Sequence, residues 1–157
     1  MQLLNLPYHG ESPLSCRIPH DLSCNTEAFM GFHSYLAVGS GAVLGAWLRW
    51  WLALILNEQL PSLPMGTLAA NLIGGLLIGL VMGSMSYFES LSPPLRLLIT
   101  TGFLGGLTTF STFSAETVTL LLRQQYAWAC AIIALHLFGS LFMTLAGIGL
   151  IRLLLRA

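Results

Sequence analysis

Lysine is absent from this 157-residue chain, and six arginines balance six acids, so only 8% of the residues carry charge, against roughly 25% in an average soluble domain. A surface so poor in charge cannot stay wetted. It also offers neither a basic footprint for nucleic acid nor an acidic disordered tail. The three cysteines (Cys16, Cys24, Cys130) form no CxxC pair, and Cys130 lies in an apolar run, so neither a disulfide framework nor a zinc ribbon is indicated. The first 29 residues lack an apolar run long enough for the core of a signal peptide.

What the chain has is hydrophobicity, at 55% of its residues. A helix crossing a bilayer needs about 20 mostly apolar residues, and it satisfies its own backbone where water is missing. Four segments meet that requirement, over about 34–56, 63–87, 95–122 and 124–151. The first carries Arg49, the third carries Glu116 in its interior, and the second and fourth carry no interior charge. The breaks between them are short and hold turn residues, Asn57 to Pro61, Glu89 to Pro94 and Arg123 to Tyr126, leaving no room for a soluble domain. Trp50, Trp51, Tyr87, Tyr126 and Trp128 sit near segment ends, as aromatic belts require. The predicted fold class is an all-α integral membrane protein with four transmembrane helices per subunit.

Residues 1–29, with Pro7, Pro13 and Pro19 and three acids, read as a disordered tail or an over-long translation start, since Met30 stands just ahead of the membrane domain of 30–157. His9, Cys16, His20 and Cys24 match no zinc module, and Pro19 prevents one helix from aligning them. Arg96, Arg152 and Arg156 fall on the side of the N-terminus and Arg123 on the other. That small bias favours a cytoplasmic N-terminus, and its smallness also suits insertion in both orientations.

The third segment departs from an ordinary spanning helix. Gly102, Gly105 and Gly106 each weaken a helix by about 1 kcal/mol relative to alanine, and hydroxyl residues crowd the next turn, so a break near 105–109 is expected. Carbonyls freed there need a partner, because irregular backbone at membrane depth persists only when buried in protein or lining a cavity. A dehydrated cation is one such partner. Beyond the break, helical spacing puts Thr109, Thr112 and Glu116 on one face, with Phe110 and Phe113 beside it. Hydroxyls can donate to a small anion without the deep electrostatic trap of a buried lysine, and aromatic edges carry the positive part of the ring quadrupole. Close helix packing is the alternative use of glycine and threonine here.

Three further residues need an account. Asn71, one turn from Thr67, serves either an interhelical hydrogen bond or a pore. Arg49 costs about 3 kcal/mol or more at full depth and must face a vestibule or a partner, Glu116 being a candidate. His136 is either a neutral histidine bonded to a neighbouring helix or a proton-sensitive group. Gly75, Gly79 and Gly83 form a smooth stripe suited to packing.

The string Gly102 to Phe113, GFLGGLTTFSTF, closely resembles the signature of the CrcB/Fluc family of small dual-topology fluoride channels. Gly45-Ala46 with Arg49-Trp50, and Gly66-Thr67 with Asn71 and Gly74, are similar to that family's first- and second-helix patterns, and the likeness covers about Ser34 to Ala157. The resemblance implies an antiparallel homodimer in the cell inner membrane, surrounded by lipid. It implies two fluoride pores, each lined by both subunits, and a structural sodium ion at the dimer interface. By the same resemblance, the Gly105 and Thr108 carbonyls hold the sodium. Asn71, Phe110, Phe113, Ser111 and Thr112 line the pore, while Arg49 and Glu116 stand at its vestibule. Many relatives carry tyrosine about where His136 stands, a departure from the resemblance that bears on the fourth helix's contribution to the polar track and on pH sensitivity. The implied function is passive, fluoride-selective export that limits cytoplasmic accumulation.

Two rival classes differ in their demands. A coupled exporter like the small multidrug transporters needs an acid in the first helix, where this chain has Arg49. A non-conducting assembly subunit has no use for the clustered hydroxyls. No nucleophile, base and oxyanion-donor set can be assembled, so an enzyme is not expected.

Overall fold

The computed structural model describes residues 22–57, 64–84 and 88–155, with the backbone alone over 22–30. The expectations for His9, Cys16, His20, Tyr87, Arg156, the loop 58–63 and the Cys24 side chain lie outside the described residues. Among those described, the elements are α1 (Leu22–Leu56), α2 (Met65–Gly83), α3 (Pro93–Leu97), a π-helical turn over Leu98–Leu104, α4 (Gly105–Leu107), α5 (Phe110–Leu122) and α6 (Tyr126–Leu154).

Among the described residues, four stretches are long and apolar enough to cross a membrane: Gly31–Leu56, Met65–Gly83, Pro93–Leu122 and Tyr126–Leu154. These are the four expected spans. The first differs at its start, because neither proline nor glycine lies between Leu22 and Met30 to stop the helix at the membrane edge. Residues 22–29, read from sequence as part of a tail, therefore continue α1. The second span is shorter than expected at both ends, with the Asn57 side chain accepting from the Gly66 N–H (2.8 Å) at its entry.

The spans are held by glycine faces that bring backbones together, as membrane helices require when lipid removes any hydrophobic gain from association. α2 packs most extensively on α6. A Cβ on Gly75 would press on Ser140, one on Gly79 would overlap the Thr144 carbonyl, and one on Gly147 would overlap Leu76 and Gly79 backbone. The 75/79/83 stripe is thus a packing face. A second reciprocal contact joins α1 to the third span, where Gly41 and Gly45 meet the backbone of Gly102 and Gly106. α2 is the most enclosed span, 39% buried against 17% for each of the others, and so forms the centre of the bundle.

The third span is bent. Its π-helical turn places the Gly105 N–H on the Thr100 carbonyl, five residues back. After one further helical turn, Thr108 (φ −79°, ψ 152°) and Thr109 (φ −149°, ψ 120°) are extended, and α5 starts anew at Phe110. The interruption falls inside the expected window of 105–109.

Candidate functional site: the bend of the third span

Two extended residues in mid-membrane release backbone groups, and the surrounding side chains account for them. Thr109 caps α5, its Oγ1 accepting from the Thr112 N–H at 3.2 Å. Asn71, from α2, accepts from the Thr109 N–H through Oδ1 (2.8 Å) and donates to the Thr109 carbonyl through Nδ2 (3.1 Å). Arg49, from α1, donates from Nε to the Gly106 carbonyl at 3.1 Å.

The break interrupts the helical pairing of the carbonyls from Gly105 to Thr108. In a continuous helix Gly105 would accept from the Thr109 N–H and Thr108 from the Thr112 N–H. Both donors are turned elsewhere, to Asn71 Oδ1 and to Thr109 Oγ1. Gly105 and Thr108 both line the cleft described below, and Gly105 is exposed. Carbonyl oxygen at such a break is a ligand that a hard, weakly charged cation takes.

The cleft, about 760 Å³, runs between α2, the third span and α6, and is lined by Asn71, Gly105, Thr108, Phe110, Phe113 and His136 among others. Phe110 stands 78% exposed on its border. Its ring lies 5.5 Å from that of Phe113, which in turn lies 4.7 Å from His136 at an interplanar angle of 32°. The hydroxyls of Thr109, Ser111 and Thr112 form a local network, with Oγ separations from Thr109 of 3.2 Å to Ser111 and 3.0 Å to Thr112, and of the three only Thr109 lines the cleft. Thr108 is excluded from this track as a donor, since its hydroxyl is given to the Leu104 carbonyl at 2.9 Å.

Of the remaining polar residues, Thr67 and His136 are buried and Glu116 is partly buried. The Thr67 hydroxyl donates to Glu116 Oε1 at 2.6 Å, while Glu116 Oε2 is buried with no partner among the described residues. His136 is buried, with Nδ1 3.0 Å from the Ile132 carbonyl. Because a carbonyl only accepts, Nδ1 carries the proton, and in the neutral ring Nε2 is an acceptor, buried without a partner among the described residues.

The family described as CrcB-like protein, Camphor Resistance (CrcB), matches residues 36–148. The chain belongs to this family. It is 61% identical over 119 residues to a fluoride-specific ion channel of Nitrosospira multiformis, covering 76% of this chain and 93% of the relative. It is 58% identical over 115 residues to one of Pseudomonas putida (73% and 91%), and 55% over 123 residues to one of Ralstonia pickettii (78% and 95%).

The CrcB signature string contains the bend; of the expected site residues, Asn71, Gly105, Thr108, Phe110, Phe113 and His136 line the cleft, and Arg49, Ser111, Thr112 and Glu116 do not. Arg49 and Glu116 do not pair as raised from sequence: Arg49 reaches Gly106, and Glu116 reaches Thr67. Asn71 makes the interhelical hydrogen bond and lines the cleft, so its two sequence-level readings are compatible. Sequence reasoning passed over Ser140 and Thr144, which line the cleft below His136. The spacing 136, 140, 144 put one polar residue per turn on a single face of an otherwise apolar span, and that signal was legible.

Proposed function

We infer that this chain is a subunit of a passive, fluoride-selective channel that lets fluoride leave the cell and limits its accumulation. The observation that carries this reading is identity above one half with proteins named fluoride-specific ion channels, over nearly their whole length. It is a multi-pass membrane protein, placed here in the inner membrane, and it performs no covalent chemistry.

Fluoride would pass along the cleft. The hydroxyls of Thr109, Ser111 and Thr112 supply donors that can hand an anion on without trapping it. Asn71, with one amide N–H given to Thr109, keeps a second for the anion. Phe110 and Phe113, which line the same cleft, offer ring edges. Arg49 and Glu116 stand at the vestibule, and His136, stacked on Phe113, is a pore residue whose protonation would add a donor at Nε2.

A cleft bordered by a 78% exposed phenylalanine suits coverage by a second copy. The smallness of the arginine bias across the spans is compatible with an antiparallel arrangement of the two. The Gly105 and Thr108 carbonyls would hold a sodium ion at the junction. Bound there, it would satisfy carbonyls that lipid cannot and tie the two bends together, without being transported.

The test is reconstitution of purified protein in liposomes, with fluoride release followed by an ion-selective electrode after the membrane potential is collapsed, and chloride release followed in parallel. Fluoride release without chloride release is expected. Equal release of both ions, or none from dimeric protein, would sink the reading.

A further inference from the structure

The third span bends without a proline between Leu95 and Leu122. Glycine permits a break there but does not impose one, so something must prevent the helix from running on. The residue that would normally serve the Gly106 carbonyl is Phe110, through its N–H. Instead the carbonyl is taken by Arg49, crossing from α1.

We propose that Arg49 is a positioning residue whose Nε–H, rather than its charge, keeps the third span bent. Gly106 is pressed on the Ala42 backbone of α1, a contact that a Cβ would forbid, so its carbonyl is presented where Arg49 can reach it. Gly105, one residue earlier, is exposed and lines the cleft. If Gly106 lost its partner, a part-buried acceptor would be left, and the replacement that a continuous helix supplies is the Phe110 N–H. Taking it would restore a helical turn and carry Thr108 and Thr109 out of their extended conformations. The Gly105 and Thr108 carbonyls and the Thr109 cap of α5 would then be lost together. Arg49 and Phe110 compete for one oxygen, and the bend is the outcome in which Arg49 wins.

This differs from a vestibule role, in which the positive charge attracts the anion, and side-chain chemistry separates the two. The amide nitrogen of glutamine stands the same number of bonds from Cα as arginine Nε, with a donor and no charge. Lysine keeps the charge but has a methylene at that position. Methionine has neither.

The experiment compares Arg49→Gln, Arg49→Lys and Arg49→Met with the parent protein as full-length dimers. Amide hydrogen exchange at Phe110 is measured by NMR, and fluoride release from liposomes is measured in parallel. The flux arm rests on the channel reading above; the exchange arm does not. Phe110 exchange in Arg49→Gln should match the parent, whereas Arg49→Lys and Arg49→Met should protect that amide at least tenfold as the helix closes. Flux should be at least tenfold greater in Arg49→Gln than in Arg49→Lys. If Arg49→Met does not fold, the contrast between glutamine and lysine decides alone. Flux retained by lysine and lost by glutamine, or a Phe110 amide indifferent to substitution, would overturn the proposal. A parent protein that conducts no fluoride would overturn the channel reading, and Phe110 exchange would still decide the role of Arg49.

Discussion

Asn71 holds the Thr109 peptide from both ends, Oδ1 accepting from its N–H at 2.8 Å and Nδ2 donating to its carbonyl at 3.1 Å. One side chain of α2 thereby substitutes for a missing turn of the third span. Asn71→Leu removes both partners, at a cost of about 1–3 kcal/mol for each group left buried. A lower thermal midpoint in detergent, followed by loss of the dimer peak on size exclusion, is expected together with loss of fluoride flux. An unchanged midpoint would show that the Thr109 peptide finds other partners.

The ring pair makes a separate prediction, because Phe110 is largely exposed and contributes little to the subunit's own core. Replacing Phe110 and Phe113 together by isoleucine should abolish fluoride release and leave dimerisation intact. Preserved release would remove the rings from the conduction path.

Thr67 is 4% exposed and gives its hydroxyl to Glu116. Thr67→Val keeps the shape and removes the donor, leaving both Glu116 oxygens without one among the described residues. Destabilisation of about 1–3 kcal/mol is expected, with Thr67→Ser close to the parent. The comparison is made by thermal unfolding, and equal midpoints for valine and serine would contradict it.

Two glycines of similar helical setting should respond with opposite sign. A Cβ on Gly79 meets the Thr144 backbone, whereas one on Gly149 meets nothing within 4 Å. Gly79→Ala should separate α2 from α6 and reduce the yield of folded protein. Gly149→Ala should stabilise by about 0.5–1 kcal/mol, the helix propensity difference.

At the turn between the third and fourth spans, Gln124 has φ 59°. It sits where a helix C-terminus usually places glycine, with the Gln125 N–H on Leu120 and the Gln124 N–H on Leu121. Gln124→Gly should raise stability by about 1 kcal/mol by relieving the left-handed strain. No change in the unfolding midpoint would show that the strain is already offset locally.

The four spans were legible because a bilayer imposes a length and a composition on anything that crosses it, and the window 105–109 was legible because glycine and hydroxyl density there contradicts an ordinary helix. The first helix was misjudged at its start for the same reason in reverse. Hydropathy marks where a helix enters lipid and is silent on where it begins in water, as at Leu22. The 75/79/83 stripe was readable as a packing face, though not its partner.

What only the tertiary structure decided is which side chains meet the groups that the bend and the span interiors leave to be partnered. Asn71, Arg49 and Thr67 were visible as polar residues that lipid would not tolerate alone, yet their partners, Thr109, Gly106 and Glu116, lie 38, 57 and 49 residues away. Periodicity ranks the faces of one helix; it carries no information on the register of one helix against another. That register is set by glycine contacts across the bundle, and it determines that Gly106 is taken while Gly105 and Thr108 face the cleft.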